Sequence, residues 1–279
     1  MGVEERRLER IANWAEMAAG WERAREYREK VAAPVTDWLV RALAPREGQT
    51  VLELAAGQGD VGYAVAPIVG EGGRVISSDF SPGMVEIADR RREELGLTNV
   101  AHRVFDAEQI ELEDDSVDGV LCRFGYMLMQ DPAAALRETR RVLRPDGRLA
   151  LAVWSSGDRN PWMAAAGRIL VGRGYMPAPE PGEPGMFVLG DENELRRLLE
   201  ESDFARICIE AVPVHFDYSD VDDYIRRANE TGGMFARAWS AAPEAEQEAM
   251  KNDFRDAFAP FAVDGGYELP GLALCALAS

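Results

Sequence analysis

Two glycines and two acidic residues, close together in the sequence, form a turn that could hold a ligand. A short apolar run, typical of one buried strand, precedes the turn, and a helical pattern follows it from Asp60 to Ile68. Gly57 and Gly59 allow backbone angles that a Cβ would forbid, and they let a ligand approach the main chain. The first amides of the helix point into the same space. Glu53 and Asp60 bracket the turn, and their negative charge favours a positively charged ligand group.

The same glycines allow two other interpretations. Gly57, Gly59 and Gly62 match the G-x-G-x-x-G pattern with which dinucleotide-binding proteins hold a pyrophosphate at a helix N-terminus. They would also suit a tight connection between a strand and a helix that binds nothing. The residues that follow later strands help to decide between these interpretations.

Three charged residues follow later strand-like segments. Asp79 lies 22 positions after Gly57, where an acid can accept hydrogen bonds from the hydroxyls of a ribose. It could also be an ordinary turn residue. Asp106 follows the third segment, where a carboxylate can accept from the amino group of adenine. Arg123 follows the fourth segment.

The elements that must position these residues alternate between strands and helices. We expect strands at residues 51–54, 74–78, 100–105, 118–122 and 148–154. The Ser81 hydroxyl is expected to cap the helix that begins at Pro82. The alternation implies a parallel sheet with helices on both faces, and right-handed crossovers place all strand carboxyl ends at one edge. The glycine turn and the three charged residues therefore converge on one crevice.

From residue 51 to residue 154 the chain resembles the class I methyltransferases that depend on S-adenosyl-L-methionine (SAM), in the small-molecule branch similar to the ubiquinone/menaquinone C-methyltransferases. The segments that carry the resemblance are Val51–Gly59, Asp79–Met84, Asp106–Glu108 and Arg141–Leu149. The resemblance implies a Rossmann-like, three-layer α/β fold, with a seven-stranded, mostly parallel sheet whose last strand is antiparallel. It implies that the protein is an enzyme that transfers a methyl group from SAM to a small, partly apolar organic acceptor by in-line displacement.

The resemblance also implies a set of cofactor-binding residues, from the methionine end of SAM to its adenine. They are Glu53, Gly57 and Gly59 for the methionine part, Asp79 for the ribose hydroxyls, Phe80 and Met84 for the adenine faces, Asp106 and Ala107 for the adenine edge, and Arg123 and Phe124 for the floor near the methyl group. Many members have aspartate or cysteine where this turn has Ala55 and Ala56. Contacts to the amino group of SAM are then expected to fall on Glu53 and on backbone carbonyls.

The catalytic residues are not evident from the sequence. SAM carries both the methyl group and the leaving group, so a general base is needed only if the acceptor must lose a proton. Tyr126 and His215 are weak candidates for that base, and packing is the more probable role of each. Since His102 and His215 are the only histidines, no metal site is expected.

Composition limits the partners. The net charge of −18 disfavours a nucleic-acid methyltransferase, because phosphate binding needs clustered cations. The basic runs at 90–92 and 140–141 are expected to be solvated helix faces. The alternatives that remain are a non-catalytic SAM-binding protein and an NAD-dependent oxidoreductase. A monomer or a homodimer is expected.

A cytoplasmic location without a membrane span is also expected. The sequence shows neither a long apolar run nor the apolar segment of a signal peptide. Three widely spaced cysteines, Cys122, Cys208 and Cys275, are expected to be core thiols in a reducing compartment.

The chain is expected to divide around the SAM-binding core at residues 46–154. Residues 1–45 would form an N-terminal helical cap, with helices at 8–21, 22–33 and 34–43, the last beginning at Pro34. Residues 155–190 would be an insert or lid, and residues 191–279 would complete the core with its last two strands. A helical insert at 217–265 separates those strands, and Trp14, Trp21 and Tyr27 either line a substrate cavity or pack the cap.

Overall fold

A mixed β-sheet of eight strands runs through the centre of the computed structural model, which describes residues 3–180 and 182–279. The strands are β1 (Thr50–Glu53), β2 (Arg74–Asp79), β3 (Val100–Val104), β4 (Val117–Arg123), β5 (Leu143–Trp154), β6 (Ile207–Tyr218), β7 (Ala262–Val263) and β8 (Gly266–Ala278). Their order across the sheet is β3-β2-β1-β4-β5-β8-β6, with the two-residue β7 paired to β8.

The direction of the strands confirms the expected fold. The first five strands pair in parallel, and β8 runs antiparallel to both β5 and β6. Successive residues of β5 from Leu149 to Val153 are fully buried, as in a strand that is covered on both faces. Since β2, β1 and β4 are neighbours and parallel, their carboxyl ends lie together at one edge.

Ten helices of the described ranges surround the sheet. They are α1 (Val3–Arg23), α2 (Arg25–Leu43), α3 (Asp60–Val69), α4 (Pro82–Glu94), α5 (Pro132–Val142), α6 (Pro161–Gly172), α7 (Glu192–Glu200), α8 (Val221–Glu230), α9 (Gly233–Ala241) and α10 (Glu244–Phe258). The first two precede β1, α6 follows β5, and the last three lie between β6 and the C-terminal strands.

The N-terminal helices differ from the expectation. Residues 25–43 form one helix, and Pro34 lies inside it instead of beginning a third helix. Proline removes one backbone hydrogen bond from a helix interior. Val31, Val35 and Leu39 are nevertheless buried on one side of α2, and the packing of this stripe offsets the missing bond.

Helix α1 lies across the start of α4. Ala18 of α1 forms a small buried cluster with Met84 and Ile87, and Trp14 and Trp21 pack against it. The two indole rings meet edge to face, with their centroids 4.9 Å apart. Through these contacts both tryptophans pack the cap onto the core.

The cysteines are unpaired in this structure. Cys122 and Cys275 are buried as expected, but Cys208 is exposed on β6, so its assignment to the core was wrong. Within residues 3–180 and 182–279, no helix is both long and apolar enough to cross a bilayer.

Candidate functional site

In the turn after β1, the backbone at Gly57 is not covered by other protein atoms. Ala55, Gly57 and Gly59 have φ values of 49°, 55° and 80°, in the left-handed region that glycine adopts without strain. Gly59 is the N-cap of α3. A Cβ added to Gly57 would meet no protein atom within 4 Å, so a ligand could lie directly on the backbone there.

Asp79 connects the end of β2 to this turn. The amide of Gly57 donates to its Oδ2 atom and the amide of Ser81 to its Oδ1 atom, each at 2.9 Å. Burial raises the pKa of Asp79 to about 6, although both amides stabilise the ionised form. Ser81 is the N-cap residue of α4 and Pro82 follows it, as expected, but the Ser81 hydroxyl makes no capping hydrogen bond. The amide of Met84 donates instead to the Ser81 carbonyl, at 3.1 Å.

Glu53 is a buried carboxylate beneath the turn, with only 2% of the residue exposed. The Ser77 hydroxyl donates to its Oε2 atom at 2.9 Å. Burial raises the pKa of Glu53 to about 7, against the opposing effect of Ser77 and the amide of Gly62. A Cβ on Gly62 would come within 2.4 Å of the Glu53 Oε2 atom. The third glycine of the pattern therefore makes room for an acid.

Two arginines enclose Asp60 at the start of α3. Arg91 donates to the carboxylate of Asp60 and to the carbonyl of Gln58, both at 2.6 Å. Arg123 lies 3.9 Å from the other oxygen of Asp60. The assignment of residues 90–92 to a solvated face was therefore wrong for Arg91, which is buried. Its position seven residues after Met84 places it on the inward face of α4, a spacing that could have revealed it.

Arg123 is held by α2. Its guanidinium donates to both carboxylate oxygens of Glu29, at 2.6 and 3.0 Å, and to the hydroxyl of Thr36 at 2.6 Å. Burial alone would lower the pKa of Arg123, but the hydrogen bonds and charge of Glu29 raise it above its usual value. Glu29 was not among the residues predicted from the sequence.

Two of the four predicted adenine-side residues border a cavity of about 190 Å³. Phe80 and Asp106 line it from the strand ends, and Arg7 and Ile11 line it from α1. The Nε atom of Arg7 donates to Asp106 at 2.9 Å. Ala107 is buried next to Asp106, and Met84 is buried in the cluster beneath α1.

Phe124 begins a row of aromatic side chains beyond the end of β4. It has a φ of 63°, which is unusual for a non-glycine residue. Its ring stacks on Trp154 at a centroid distance of 4.0 Å. Trp162 meets Trp154 edge to face and stacks on Phe216 at 4.1 Å.

The two base candidates lie in different parts of the fold. Tyr126 is fully buried, and its hydroxyl lies 2.6 Å from the hydroxyl of Thr139. His215 lies on β6, which β4, β5 and β8 separate from β1. The side chain of His215 is 59% exposed, and its Nδ1 atom lies 3.0 Å from Glu268.

Several buried polar atoms near the turn have no hydrogen-bond partner within the described ranges. They are both amide atoms of Gln58, the hydroxyl of Ser81, the indole nitrogen of Trp21 and the Nε atom of Arg10. Buried polar groups are nearly always paired in folded proteins. Gln58 follows β1 and Ser81 follows β2, so their unpartnered atoms at these two strand ends indicate a polar ligand.

The glycine turn, Asp79, Asp106 and Arg123 all lie at or just after the carboxyl ends of parallel strands. Residues 45–168 match the family model described as Methyltransferase domain, which confirms the resemblance for this part of the chain. The model covers the strands that carry the glycine turn, Asp79, Asp106 and Arg123.

The chain is similar to two named enzymes over part of its length. It is 37% identical over 116 residues to the demethylmenaquinone methyltransferase of Clavibacter sepedonicus, which is 42% of this chain and 45% of that protein. It is 36% identical over 111 residues to the ubiquinone/menaquinone biosynthesis C-methyltransferase UbiE of Klebsiella pneumoniae, which is 39% of this chain and 44% of that protein. The chain thus spans less than half the length of either relative.

A solved structure shows the same fold over most of the chain. YcgJ of Bacillus subtilis superposes with a TM-score of 0.61 at 20% identity, over 87% of this chain and 96% of that one. At this identity the similarity establishes the fold alone.

Proposed function

We propose that the protein transfers a methyl group from SAM to a small, partly apolar organic acceptor. The observation that carries the proposal is the use of the third glycine of the pattern, Gly62, to accommodate the buried carboxylate of Glu53. A pyrophosphate at this turn would face that carboxylate. The sulfonium and ammonium groups of SAM would be attracted to it.

The proposed cofactor residues keep their expected roles, with one revision. Glu53 with the glycine turn would hold the methionine part, Asp79 the ribose hydroxyls, Phe80 and Met84 the adenine faces, Asp106 and Ala107 its edge, and Phe124 the floor near the methyl group. Arg123 would act through Glu29 and Asp60, because those contacts already occupy its guanidinium. The unpartnered Gln58 amide and Ser81 hydroxyl fit a ligand with several polar groups.

The protein's own contribution to the reaction is orientation and exclusion of water. SAM supplies the activated methyl group and its own leaving group when bound. The chain must hold the attacking atom in line with the methyl carbon and sulfur, and such positioning can lower a barrier by about 7–11 kcal/mol in favourable systems. We assign no general base, since the Tyr126 hydroxyl is buried against that of Thr139 and His215 lies on β6, which three strands separate from β1.

The surroundings of the proposed site favour an acceptor with an apolar part. The aromatic row that begins at Phe124 supports this, and the names of the two relatives refer to quinone biosynthesis. We propose that the cap at residues 1–45 and the inserts at 155–190 and 217–265 enclose the acceptor. The free thiols of Cys122, Cys208 and Cys275 support a cytoplasmic location.

Calorimetric titration and a transfer assay test the function. The protein should bind SAM and S-adenosylhomocysteine (SAH), and it should transfer a labelled methyl group to a member of a panel of phenols, quinones, amines and acids. NAD serves as the control ligand and should not bind. Tight SAM binding without transfer to any panel member would instead support a non-catalytic SAM-binding protein.

A further inference from the structure

Arg28 on α2 is a cation that lacks an ion pair in the described part of the chain. Its guanidinium lies over the ring of Trp21, with the Cζ atom 3.4 Å from the ring centroid. The side chain makes no hydrogen bond or salt bridge to any described residue. Burial, together with the charge of Arg123, lowers the pKa of Arg28 to about 9.

The nearby carboxylates are already bound to other arginines. Glu29, the next residue on α2, forms the two-oxygen pair with Arg123. Asp60 is bound by Arg91 at 2.6 Å. A buried charge without a partner is unfavourable, and a bound anion would remove that cost.

Trp21 supplies a second donor without a partner. Its indole nitrogen is buried, and no described residue accepts a hydrogen bond from it. This nitrogen belongs to the ring on which Arg28 lies. A charged donor and a neutral donor therefore lie together, and neither makes a hydrogen bond to a described residue.

We propose that Arg28 and the indole N–H of Trp21 bind a carboxylate. The inference rests on the proposed function, and it completes the charge balance of the site. The amino-acid end of SAM carries one ammonium and one carboxylate group. Glu53 is available for the ammonium, whereas none of the residues assigned above offers a free cation to the carboxylate.

The position of Arg28 suits this end of SAM. The adjacent Glu29 reaches Arg123 at the end of β4, next to β1 and its glycine turn. The adenine-side cavity lies at the ends of β2 and β3, on the other side of β1. A carboxylate on the methyl acceptor would offer the same chemistry, so the experiment separates the two sources.

Two ligands that differ in the amino-acid group test whether the bound carboxylate belongs to SAM. SAH contains this group, and 5′-methylthioadenosine keeps the nucleoside and the sulfur but lacks it. Calorimetry with Arg28→Met should show SAH binding at least tenfold weaker than in the wild type, with 5′-methylthioadenosine affinity within twofold. Arg28→Lys should recover part of the SAH affinity, because it restores the positive charge.

A matched control separates binding from folding. Arg41 lies on the same helix and is exposed, and Arg41→Met should leave both affinities unchanged. The melting temperature of unliganded Arg28→Met should equal or exceed that of the wild type, since the substitution removes a partly buried cation that has no ion pair among the described residues. A lower melting temperature together with equal losses for both ligands would show a structural role and overturn the proposal.

Whether the bound carboxylate belongs to the methyl acceptor is tested with SAH already bound. If Arg28→Met leaves SAH affinity unchanged, benzoate and acetate are titrated into the SAH-saturated proteins. Stabilisation of the wild type but not of Arg28→Met would assign the site to a carboxylate of the acceptor. Unchanged SAH affinity and no difference with either anion would overturn the proposal while the proposed function stands. Failure of the wild type to bind SAH or 5′-methylthioadenosine would instead refute the proposed function.

Discussion

At the residue scale, the buried carboxylate of Glu53 should make SAM binding depend on pH. Burial raises its pKa from 4.5 to about 7, so the unliganded protein favours the protonated form. The positive groups of SAM favour the ionised form. We therefore expect SAM affinity to rise between pH 5.5 and pH 8, with release of a proton, and calorimetry in buffers of different ionisation enthalpy measures both quantities.

Glu53→Gln is the control for this pH dependence. It should bind SAM more weakly and with a flatter pH profile, and an unchanged profile would assign the titration to another group. The unliganded wild type should also lose stability as pH rises from about 4.5 to about 7, because the folded state holds the proton more tightly than the unfolded state. Glu53→Gln should lose less stability over this range.

A second residue-scale prediction concerns Asp79. Asp79→Ala should weaken SAM binding more than tenfold, because the ribose hydroxyls lose their proposed acceptor. It should also lower the free energy of unfolding by about 1–3 kcal/mol, since the amides of Gly57 and Ser81 lose their partner. Urea unfolding and calorimetry measure the two effects. An affinity close to that of the wild type would place the ribose elsewhere.

Single residues differ in how far the sequence could predict them. Gly57 and Asp79 could be predicted because each lies at a strand end with a characteristic spacing, and the structure joins them by a hydrogen bond. The ion pairs of Arg91 and Glu29 could not be predicted in the same way, although helical spacing places Arg91 on the inward face of α4. Their partners, Asp60 and Arg123, lie on other elements, and such pairing depends on the assembled fold.

At the element scale, the pair between Glu29 and Arg123 fastens α2 to the end of β4. Glu29→Gln should lower the free energy of unfolding by about 2 kcal/mol, less than for a fully buried pair, because 24% of the Glu29 side chain is exposed. Urea unfolding measures the change. Glu26→Gln, at an exposed position of the same helix, should change it by less than about 0.5 kcal/mol.

A double-mutant cycle tests whether this loss comes from the pair. When Arg123 is already replaced by Met, Glu29→Gln should lower the free energy of unfolding only slightly, because the buried cation is then absent. Equal costs in both backgrounds would show that Glu29 stabilises α2 by another route.

The elements themselves were largely predictable, because apolar periodicity is a local signal. β2, β3 and β4 lie within one residue of their expected bounds. β5 begins at Leu143 instead of Arg148, and a register shift opposite Val117 and Gly119 accommodates residues 144–147, whose Pro-Asp-Gly composition is typical of a turn. Local composition does not distinguish a turn from such an irregularity in a paired strand. The path of α2 through Pro34 likewise depends on its packing against the core.

At the scale of the whole molecule, the parallel sheet and its antiparallel last strand followed from the alternation of elements and from the resemblance. The location of α1 did not, since its contacts with α4 and with Asp106 join residues far apart in the sequence. The composition of the chain restricts only the class of partner, whereas the fold also indicates where a ligand would bind. A net charge of −18 disfavours a polyanionic partner, whereas the converging strand ends define where a small ligand would lie.

The last prediction concerns the stability of the whole chain. A ligand at 100 times its dissociation constant stabilises the folded state by about 2.7 kcal/mol, which corresponds to a rise in melting temperature of about 5–10 °C for a domain of this size. Thermal unfolding with SAH should show this rise, and NAD at the same concentration should leave the transition unchanged. Stabilisation by NAD alone would mean that the glycine turn holds a pyrophosphate. The buried carboxylate of Glu53 makes that outcome unfavourable, because a pyrophosphate would bring negative charge against it.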